Sequence, residues 1–239
     1  MSPDHFGKAQ PEDVCDEKGG PPEASATGDT EETNQLLQRA AQGDQKGWEI
    51  LLEQHRARLR RLVAVRLDRQ LQGRIDASDV IQEAYQEAWS RLAEYLRQRP
   101  APFFLWLRYL TGQKLLELYR HHVGTQMRDA RREVSLYDRS MPETSSAALA
   151  VQLLGREPQP SEAAVRAEVS RRLEEALNTL EPLDREVLAM RHFEHLNNTE
   201  TAQALGLATS AASKRYLRAL KRLKEVLDRM PGGMEELSL

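Results

Sequence analysis

The chain has 239 residues, of which 40% are hydrophobic and 30% charged, and its formal net charge is −3. This length allows one or two domains with a sizeable core, and the composition is too apolar for a wholly disordered chain. No apolar run reaches the roughly 18 residues that span a bilayer, and the N-terminal stretch lacks an apolar signal region. We therefore predict a cytoplasmic protein with no membrane insertion. The single cysteine, Cys15, excludes an internal disulfide and a cysteine-based zinc site.

Charge is distributed unevenly along the chain. Residues 1–34 contain nine acidic residues against Lys8 and Lys18, together with many Pro and Gly and few branched apolar side chains. Such a segment buries too little apolar surface to offset its chain entropy, so we predict a disordered acidic tail. The rest of the chain has a net charge of +4, which suits a polyanionic partner if the basic side chains cluster.

Helical periodicity dominates the chain after this tail. Apolar residues recur at helical spacing in two segments between 34 and 67, on either side of Gly43-Asp44. A third helix is predicted from Ser78 to Arg97, with Asp76 or Ser78 as its N-cap, and a fourth from Phe103 to His121. The prolines at 100 and 102 separate these two helices.

Residues 124–163 change character, because Gly, Pro, Ser and Thr interrupt the apolar pattern. They predict a linker with one short helical piece near 147–154. Four more helical patterns follow over 162–180, 183–193, 199–205 and 209–229. Nothing alternates as a strand would, so we predict an all-α fold with two helical domains joined by a flexible linker. The predicted divisions are an acidic tail over 1–34, a first domain over 35–125, the linker over 126–163, a second domain over 164–230 and a tail over 231–239.

The last two helical patterns have the spacing of a helix-turn-helix. Thr199 is the expected cap of the first helix, Gly206 ends it, and the second helix begins at Thr209. Residues 201–224 contain six basic residues and no acidic one, which favours phosphate contact. The side chains predicted to meet duplex DNA are Ser210, Ser213, Lys214, Arg215 and Arg218. An ordinary helical hairpin with a solvated basic face is the alternative.

Two other segments carry a distinctive pattern. The third predicted helix presents an acidic and amidic stripe that includes Asp79, Gln82 and Glu83, which could dock on a basic partner. The segment from Phe103 through Arg120 interleaves aromatic with basic side chains, as single-stranded nucleic acid requires. Taken alone, a solvated face explains the stripe better, and core packing explains the aromatic residues better.

Enzyme signatures are absent from the sequence. It contains no Gly-x-x-x-x-Gly-Lys loop, no Gly-x-Ser-x-Gly elbow, no Gly-x-Gly-x-x-Gly turn and no His-Glu-x-x-His pair. The His121-His122 and His192-x-x-His195 pairs lack further ligands around them, so we predict no metal site. The sequence therefore predicts a protein that is not an enzyme, with no catalytic residues and no cofactor.

In order and spacing, these segments resemble the extracytoplasmic-function group of bacterial RNA polymerase sigma factors, over roughly 35–125 and 164–227. Asp79-Val80-Ile81-Gln82-Glu83-Ala84-Tyr85 resembles the region 2 helix that binds core polymerase. Phe103-x-x-Trp106-Leu107 and the helix through Arg120 resemble the segment that melts and reads the minus-ten element. Leu183-Asp184-Arg185-Glu186 through Leu205-Gly206 and Lys214-Arg215-Tyr216 resembles region 4, which binds the minus-thirty-five element.

The resemblance implies a factor that directs promoter recognition, DNA melting and transcription initiation. Core RNA polymerase and promoter DNA are the implied partners, and an anti-sigma factor is a further candidate. Three positions depart from the usual region 4 pattern, namely Thr201, Ala208 and Ala212. The implied sites are Asp79, Gln82 and Glu83 for core polymerase, Phe103, Trp106, Arg108, Lys114 and Arg120 for the minus-ten element, and the helix-turn-helix side chains above for the minus-thirty-five element.

Two alternatives remain at this point. A stand-alone helix-turn-helix regulator would bind palindromic DNA as a dimer and form no stable polymerase complex. A helical adaptor that binds only proteins would lack DNA affinity at any salt concentration.

Overall fold

The computed structural model describes residues 29–67, 76–123, 141–154 and 163–228, and these residues form helices and connecting turns without a strand. The predicted all-α fold class is confirmed. Ten α-helices follow one another, with a five-residue π-helical turn, Ala189–Phe193, directly after α8. The α-helices are α1 Glu31–Ala41, α2 Gln45–Ala64, α3 Ala77–Ser90, α4 Leu92–Gln98, α5 Phe103–Val123, α6 Ser146–Leu154, α7 Ala163–Asn178, α8 Pro182–Leu188, α9 Asn198–Ala204 and α10 Thr209–Asp228.

Helices α1 to α5 form the first domain around one apolar core. Short polar side chains cap the helices where the sequence predicts their starts. Asp44 accepts a hydrogen bond from the Gly47 amide of α2 (3.1 Å), and Asp76 accepts one from the Ser78 amide of α3 (2.7 Å). The expected cap at Asp76 is therefore present.

The predicted third helix is two helices in the structure. The helix is interrupted at Arg91, whose backbone leaves the helical region with φ −102° and ψ 6°, and α4 begins at Leu92. Neither Pro nor Gly marks this break. Leu92 and Tyr95 of α4 are buried in the first-domain core.

The predicted acidic tail ends earlier than residue 34. Residues 1–28 lie outside the described part of the chain, but Thr30 caps α1 and the helix begins at Glu31. Asp29 is fixed as well, because its carboxylate accepts hydrogen bonds from the backbone amide of Phe103 (2.6 Å) and from the Tyr95 hydroxyl (3.2 Å). The first domain therefore includes the last residues of the predicted tail.

Helices α7 to α10 and the π-helical turn form the second domain. Leu173, Leu177, Leu188 and Ala219 contribute to its core, and α6 of the predicted linker packs on α7. The described part of that linker, residues 141–154, is therefore packed against folded structure. Met190 and Leu196 of the second domain belong to the core of the first, so the two domains pack against each other.

Among the described residues, no helix combines the length and the apolar character needed to cross a membrane.

Candidate nucleic-acid and polymerase interfaces

The acidic stripe of α3 lies on the protein surface. Val80, Ile81 and Ala84 face the core, so the helical repeat turns Asp79, Gln82 and Glu83 outward, and all three are exposed. Within the described residues, Asp79 and Glu83 take part in no ion pair, so their charges are free for a partner. The structure therefore brings the three predicted polymerase-binding residues together on one face.

The start of α5 contributes mainly to the core. Phe103 is fully buried, and its ring packs edge-on against Trp48 (6.0 Å between centroids) and Tyr95 (5.6 Å). Trp106 is half-buried and stacks on Tyr95 with centroids 4.4 Å apart. The Phe103 ring, predicted to contact DNA, has no exposed surface in this arrangement.

The three basic residues predicted for the minus-ten element lie in different environments. Arg108 is buried, and its Nε donates to Glu194 Oε2 of the second domain at 2.6 Å, so it too is not exposed to DNA here. Lys114 Nζ lies 3.1 Å from Glu117 Oε2 and 3.9 Å from Glu87 Oε2. Of these three basic residues, Lys114 is partly exposed and Arg120 is exposed.

The helix-turn-helix forms as predicted, with a different cap. Asn197 accepts a hydrogen bond from the Glu200 amide (2.8 Å), and the Glu200 carboxylate accepts one from the Asn197 amide (2.8 Å), which is a complete capping box. The expected cap at Thr199 is wrong, because α9 begins one residue earlier. Gly206 follows α9 with φ +63°, a conformation that glycine adopts without strain.

Helix α10 presents most of the predicted duplex-facing side chains. Ser210, Lys214 and Arg218 are exposed and Ser213 is partly so, whereas Ala212 and Ala219 are buried against the second domain. Arg215 differs, because its Nη1 donates to Asp184 Oδ1 of α8 at 2.8 Å. Its guanidinium is partly exposed and is paired within the second domain, so Arg215 has a protein partner in addition to its predicted contact with DNA.

Comparisons with known proteins agree with this geometry. Residues 170–223 match the family model described as Sigma-70, region 4. The "ECF RNA polymerase sigma factor SigD" of Mycobacterium tuberculosis is 29% identical over 201 residues, which cover 84% of this chain and 86% of that protein. These matches support an extracytoplasmic-function RNA polymerase sigma factor. The promoter-directing factor predicted from the sequence is therefore confirmed, rather than the stand-alone regulator.

Two further matches are also to sigma factors. A "Probable RNA polymerase sigma factor RfaY" of Xanthomonas campestris is 31% identical over 145 residues, 60% of this chain, but the match spans only 32% of that protein. The solved structure of CnrH in complex with the cytosolic domain of CnrY has the same fold, with a TM-score of 0.52 and 22% identity. That likeness covers 84% of this chain and 99% of the CnrH chain.

Sequence reasoning did not identify the most buried charges of this sigma factor. Arg66, two residues after the end of α2, donates from Nη1 to Glu194 Oε1 at 2.7 Å and from Nη2 to Glu186 Oε2 at 2.6 Å. These side chains join residues more than a hundred positions apart, so neither helical periodicity nor local spacing could pair them.

Burial and ion pairing have opposite effects on the pKa values of Glu194 and Arg66. Burial alone would raise the pKa of the Glu194 carboxyl, but Arg108 and Arg66 outweigh it and lower that pKa from 4.5 to about 2. Burial alone would lower the pKa of Arg66, but Glu186 and Glu194 raise it above its usual value. Both groups are therefore charged in the folded chain near neutral pH.

Within the described residues, no group of three or more His, Cys, Asp or Glu side chains is placed to hold a metal ion.

Proposed function

We propose that this sigma factor binds core RNA polymerase through the exposed face of Asp79, Gln82 and Glu83. The observation that carries the proposal is the free acidic charge on a helix whose opposite face is fixed in the core. Charge complementarity with a basic surface would steer association and fix its register. Neighbouring Glu87 is occupied by Arg91 at 2.5 Å, so Asp79 and Glu83 carry the available charge on this face.

In the same proposal, α10 inserts into the major groove of the minus-thirty-five element. Its N-terminal turns expose Ser210 and Lys214 next to each other, and Arg218 lies one turn further along the same face. Small hydroxyl side chains can approach base edges, and Lys and Arg neutralise phosphates. Arg215 acts instead as a positioning residue, because it ties α10 to Asp184 on α8.

In the same proposal, the residues of α5 have different tasks at the minus-ten element. Lys114 and Arg120 supply cationic surface for the phosphates of the opened strand, and Trp106 supplies a half-buried ring for base stacking. The Phe103 ring packs against the Trp106 ring, with their centroids 5.8 Å apart, and so helps to hold it in place.

The protein is proposed to act in the cytoplasm and to have no enzymatic activity of its own. Since the structure of CnrH was solved with the cytosolic domain of CnrY, we include an anti-sigma factor among the proposed partners.

Copurification with core polymerase tests the polymerase surface. The double variant Asp79→Ala/Glu83→Ala should bind core at least about tenfold more weakly, because two complementary charges are lost. The matched control is Glu49→Ala/Glu94→Ala, which removes two exposed acids from other helices of the same domain. Equal retention of core by the double variant and the wild type would refute this surface.

A further inference from the structure

Asp29 caps α5 from a distant part of the chain. Pro102 directly precedes α5, and its side chain offers no oxygen that could cap the helix. Asp29 lies 74 positions before Phe103, and its Oδ1 accepts a hydrogen bond from the Phe103 amide at 2.6 Å. A carboxylate at this end of a helix is also favoured by the helix dipole. Asp29 therefore fixes the start of α5 from a point ahead of α1.

The same carboxylate reaches the ring on which Trp106 stacks. Its Oδ2 lies 3.2 Å from the Tyr95 hydroxyl oxygen, which also lies 3.1 Å from the Ala101 carbonyl oxygen. Burial, aided by the charge of Asp29, raises the pKa of Tyr95 above its usual value, so the hydroxyl keeps its proton. The Trp106 and Tyr95 rings stack with centroids 4.4 Å apart and planes inclined by 21°. Asp29 therefore holds the ring against which Trp106 packs.

A second contact holds the connection between α4 and α5. Arg99 adopts a left-handed backbone conformation with φ +38°, which is uncommon for a residue other than glycine. Its Nη1 donates to Asn34 Oδ1 of α1 at 2.6 Å, and its backbone amide donates to the Tyr95 carbonyl at 2.7 Å. Asn34 and Asp29 therefore hold residues 99–103 at both ends.

This arrangement orders the Trp106 ring in the free chain. Trp106 lies in the first turn of α5, three residues after Phe103, so the direction of its side chain depends on where that helix begins. A side chain that is already ordered does not lose rotational freedom when it binds a ligand. A base therefore stacks more strongly on a ring that is fixed beforehand than on a ring that is free to move.

We propose that Asp29 and Tyr95 are positioning residues, which hold the Trp106 ring in the orientation that stacks a base of the opened minus-ten strand. Neither residue touches DNA itself. The inference rests on the proposed stacking role of Trp106, and its positioning part can be measured without DNA. It also predicts a sign. Loss of an acidic charge ordinarily strengthens binding to a polyanion, whereas loss of Asp29 should weaken it.

Fluorine NMR of the full chain labelled with fluorotryptophan measures the positioning. The chain contains three tryptophans, Trp48, Trp89 and Trp106, and the variant Trp106→Phe assigns the third resonance. We expect Asp29→Ala to shift or broaden the Trp106 resonance by more than that of Trp89, which lies on α3. The control is Thr30→Ala, which removes the cap of α1 next to Asp29 and should leave the Trp106 resonance in place. An unchanged Trp106 resonance in Asp29→Ala would overturn the proposal.

Affinity for a randomised pool of single-stranded DNA at low salt tests the consequence for binding. We expect Asp29→Ala to bind about fivefold more weakly, because the ring must then be ordered as DNA binds. Asp29→Asn should bind as the wild type does, since its amide oxygen still accepts from the Phe103 amide and its amide nitrogen can donate to the Tyr95 hydroxyl. Thr30→Ala should also leave the affinity unchanged. Equal or tighter binding by Asp29→Ala would contradict the proposal.

Tyr95→Phe guards against misfolding of the Asp29 variant. It retains the ring on which Trp106 stacks and removes only the hydroxyl that Asp29 and Ala101 share. Circular dichroism shows whether each variant retains its helices. If Asp29→Ala loses helical content, Tyr95→Phe decides: a shifted or broadened Trp106 resonance with weaker binding supports the proposal, and an unchanged resonance or an unchanged affinity overturns it.

Trp106→Ala separates this inference from the proposed function. If this variant binds single-stranded DNA as tightly as the wild type does, the stacking role fails and with it the DNA part of the proposal, whereas the fluorine resonances still decide whether Asp29 positions the ring. If Trp106→Ala binds more weakly but Asp29→Ala does not, the stacking role stands and the positioning proposal is overturned.

Discussion

His55 is a partly buried titratable side chain that packs against the first-domain core. Its ring packs against Phe103 and Phe104, with centroids 5.7 Å and 5.5 Å away, and its Nε2 is buried with no hydrogen-bond partner among the described residues. Burial, aided by the positive charge of Arg58, lowers the pKa of His55 from 6.5 to about 4. The folded chain therefore holds this imidazole neutral at pH values where the unfolded chain protonates it.

A dependence of stability on pH follows from His55. The unfolded state binds the extra proton between pH 6.5 and about 4, so the stability contribution is complete above 6.5 and declines as the pH falls through this window. The decline should reach about 2–3 kcal/mol. Urea unfolding at several pH values across this window gives the free energy of unfolding against pH. His55→Phe should remove the part of that slope due to His55, and His121→Ala, at an exposed histidine, should leave the slope unchanged. A slope in His55→Phe equal to that of the wild type would contradict the buried neutral ring.

Single residues also show where sequence reasoning ends. Exposure of Lys214 and Arg218 follows from helical spacing, because Ala212 and Ala219 take the buried positions of the same helix. The pairing of Arg215 with Asp184 does not follow from helical spacing, because it joins residues 31 positions apart on two helices. Similarly, Phe103 and Arg108 look like DNA contacts in sequence. Only the structure shows that Phe103 is buried in the first-domain core and that Arg108 is buried against Glu194 of the second domain.

At the scale of elements, local rules predict most of the helices. Apolar periodicity together with Pro and Gly indicates every helix, and most ends agree to within two residues. The break at Arg91 and the π-helical turn at Ala189–Phe193 have no such signal, because tertiary packing determines both. The cap of α9 did have a signal, since Asn197 stands three residues before Glu200 in the pattern of a capping box.

The cap of α9 gives a test at this scale. Asn197→Ala removes the acceptor of the Glu200 amide, and loss of such a cap should lower the free energy of unfolding by about 1 kcal/mol. Thermal or urea unfolding measures the change. Thr199→Ala, at the cap position expected from sequence, should lower the free energy of unfolding by less than Asn197→Ala does, because α9 has already begun there. A larger loss for Thr199→Ala would show that α9 starts where the sequence suggested.

Helix α10 gives a second test. Arg218→Ala should weaken duplex promoter binding and reduce the slope of log K against log salt by about one, because one phosphate contact releases about one counterion. Exposed Lys46→Ala on α2 should leave the slope unchanged. Anisotropy titrations at several salt concentrations provide both slopes. An unaltered slope for Arg218→Ala would remove this side chain from the DNA interface.

At the scale of the whole molecule, the order of two helical domains follows from composition and periodicity, but their contact does not. It depends on Arg58, Arg66 and Arg108 meeting Glu186, Glu194 and Glu200, and no local pattern in the sequence pairs these residues. The same contact explains why residues 144 and 145, predicted to lie in a flexible linker, are fixed between the domains.

Run-off transcription from genomic DNA fragments with purified core polymerase tests the central claim most directly. The wild-type chain should produce transcripts with defined start sites, and these should be lost with Asp79→Ala/Glu83→Ala and retained with Glu49→Ala/Glu94→Ala. The opposite result, with no transcript and no binding to core while duplex DNA is still bound, would contradict a sigma factor and indicate a stand-alone DNA-binding regulator.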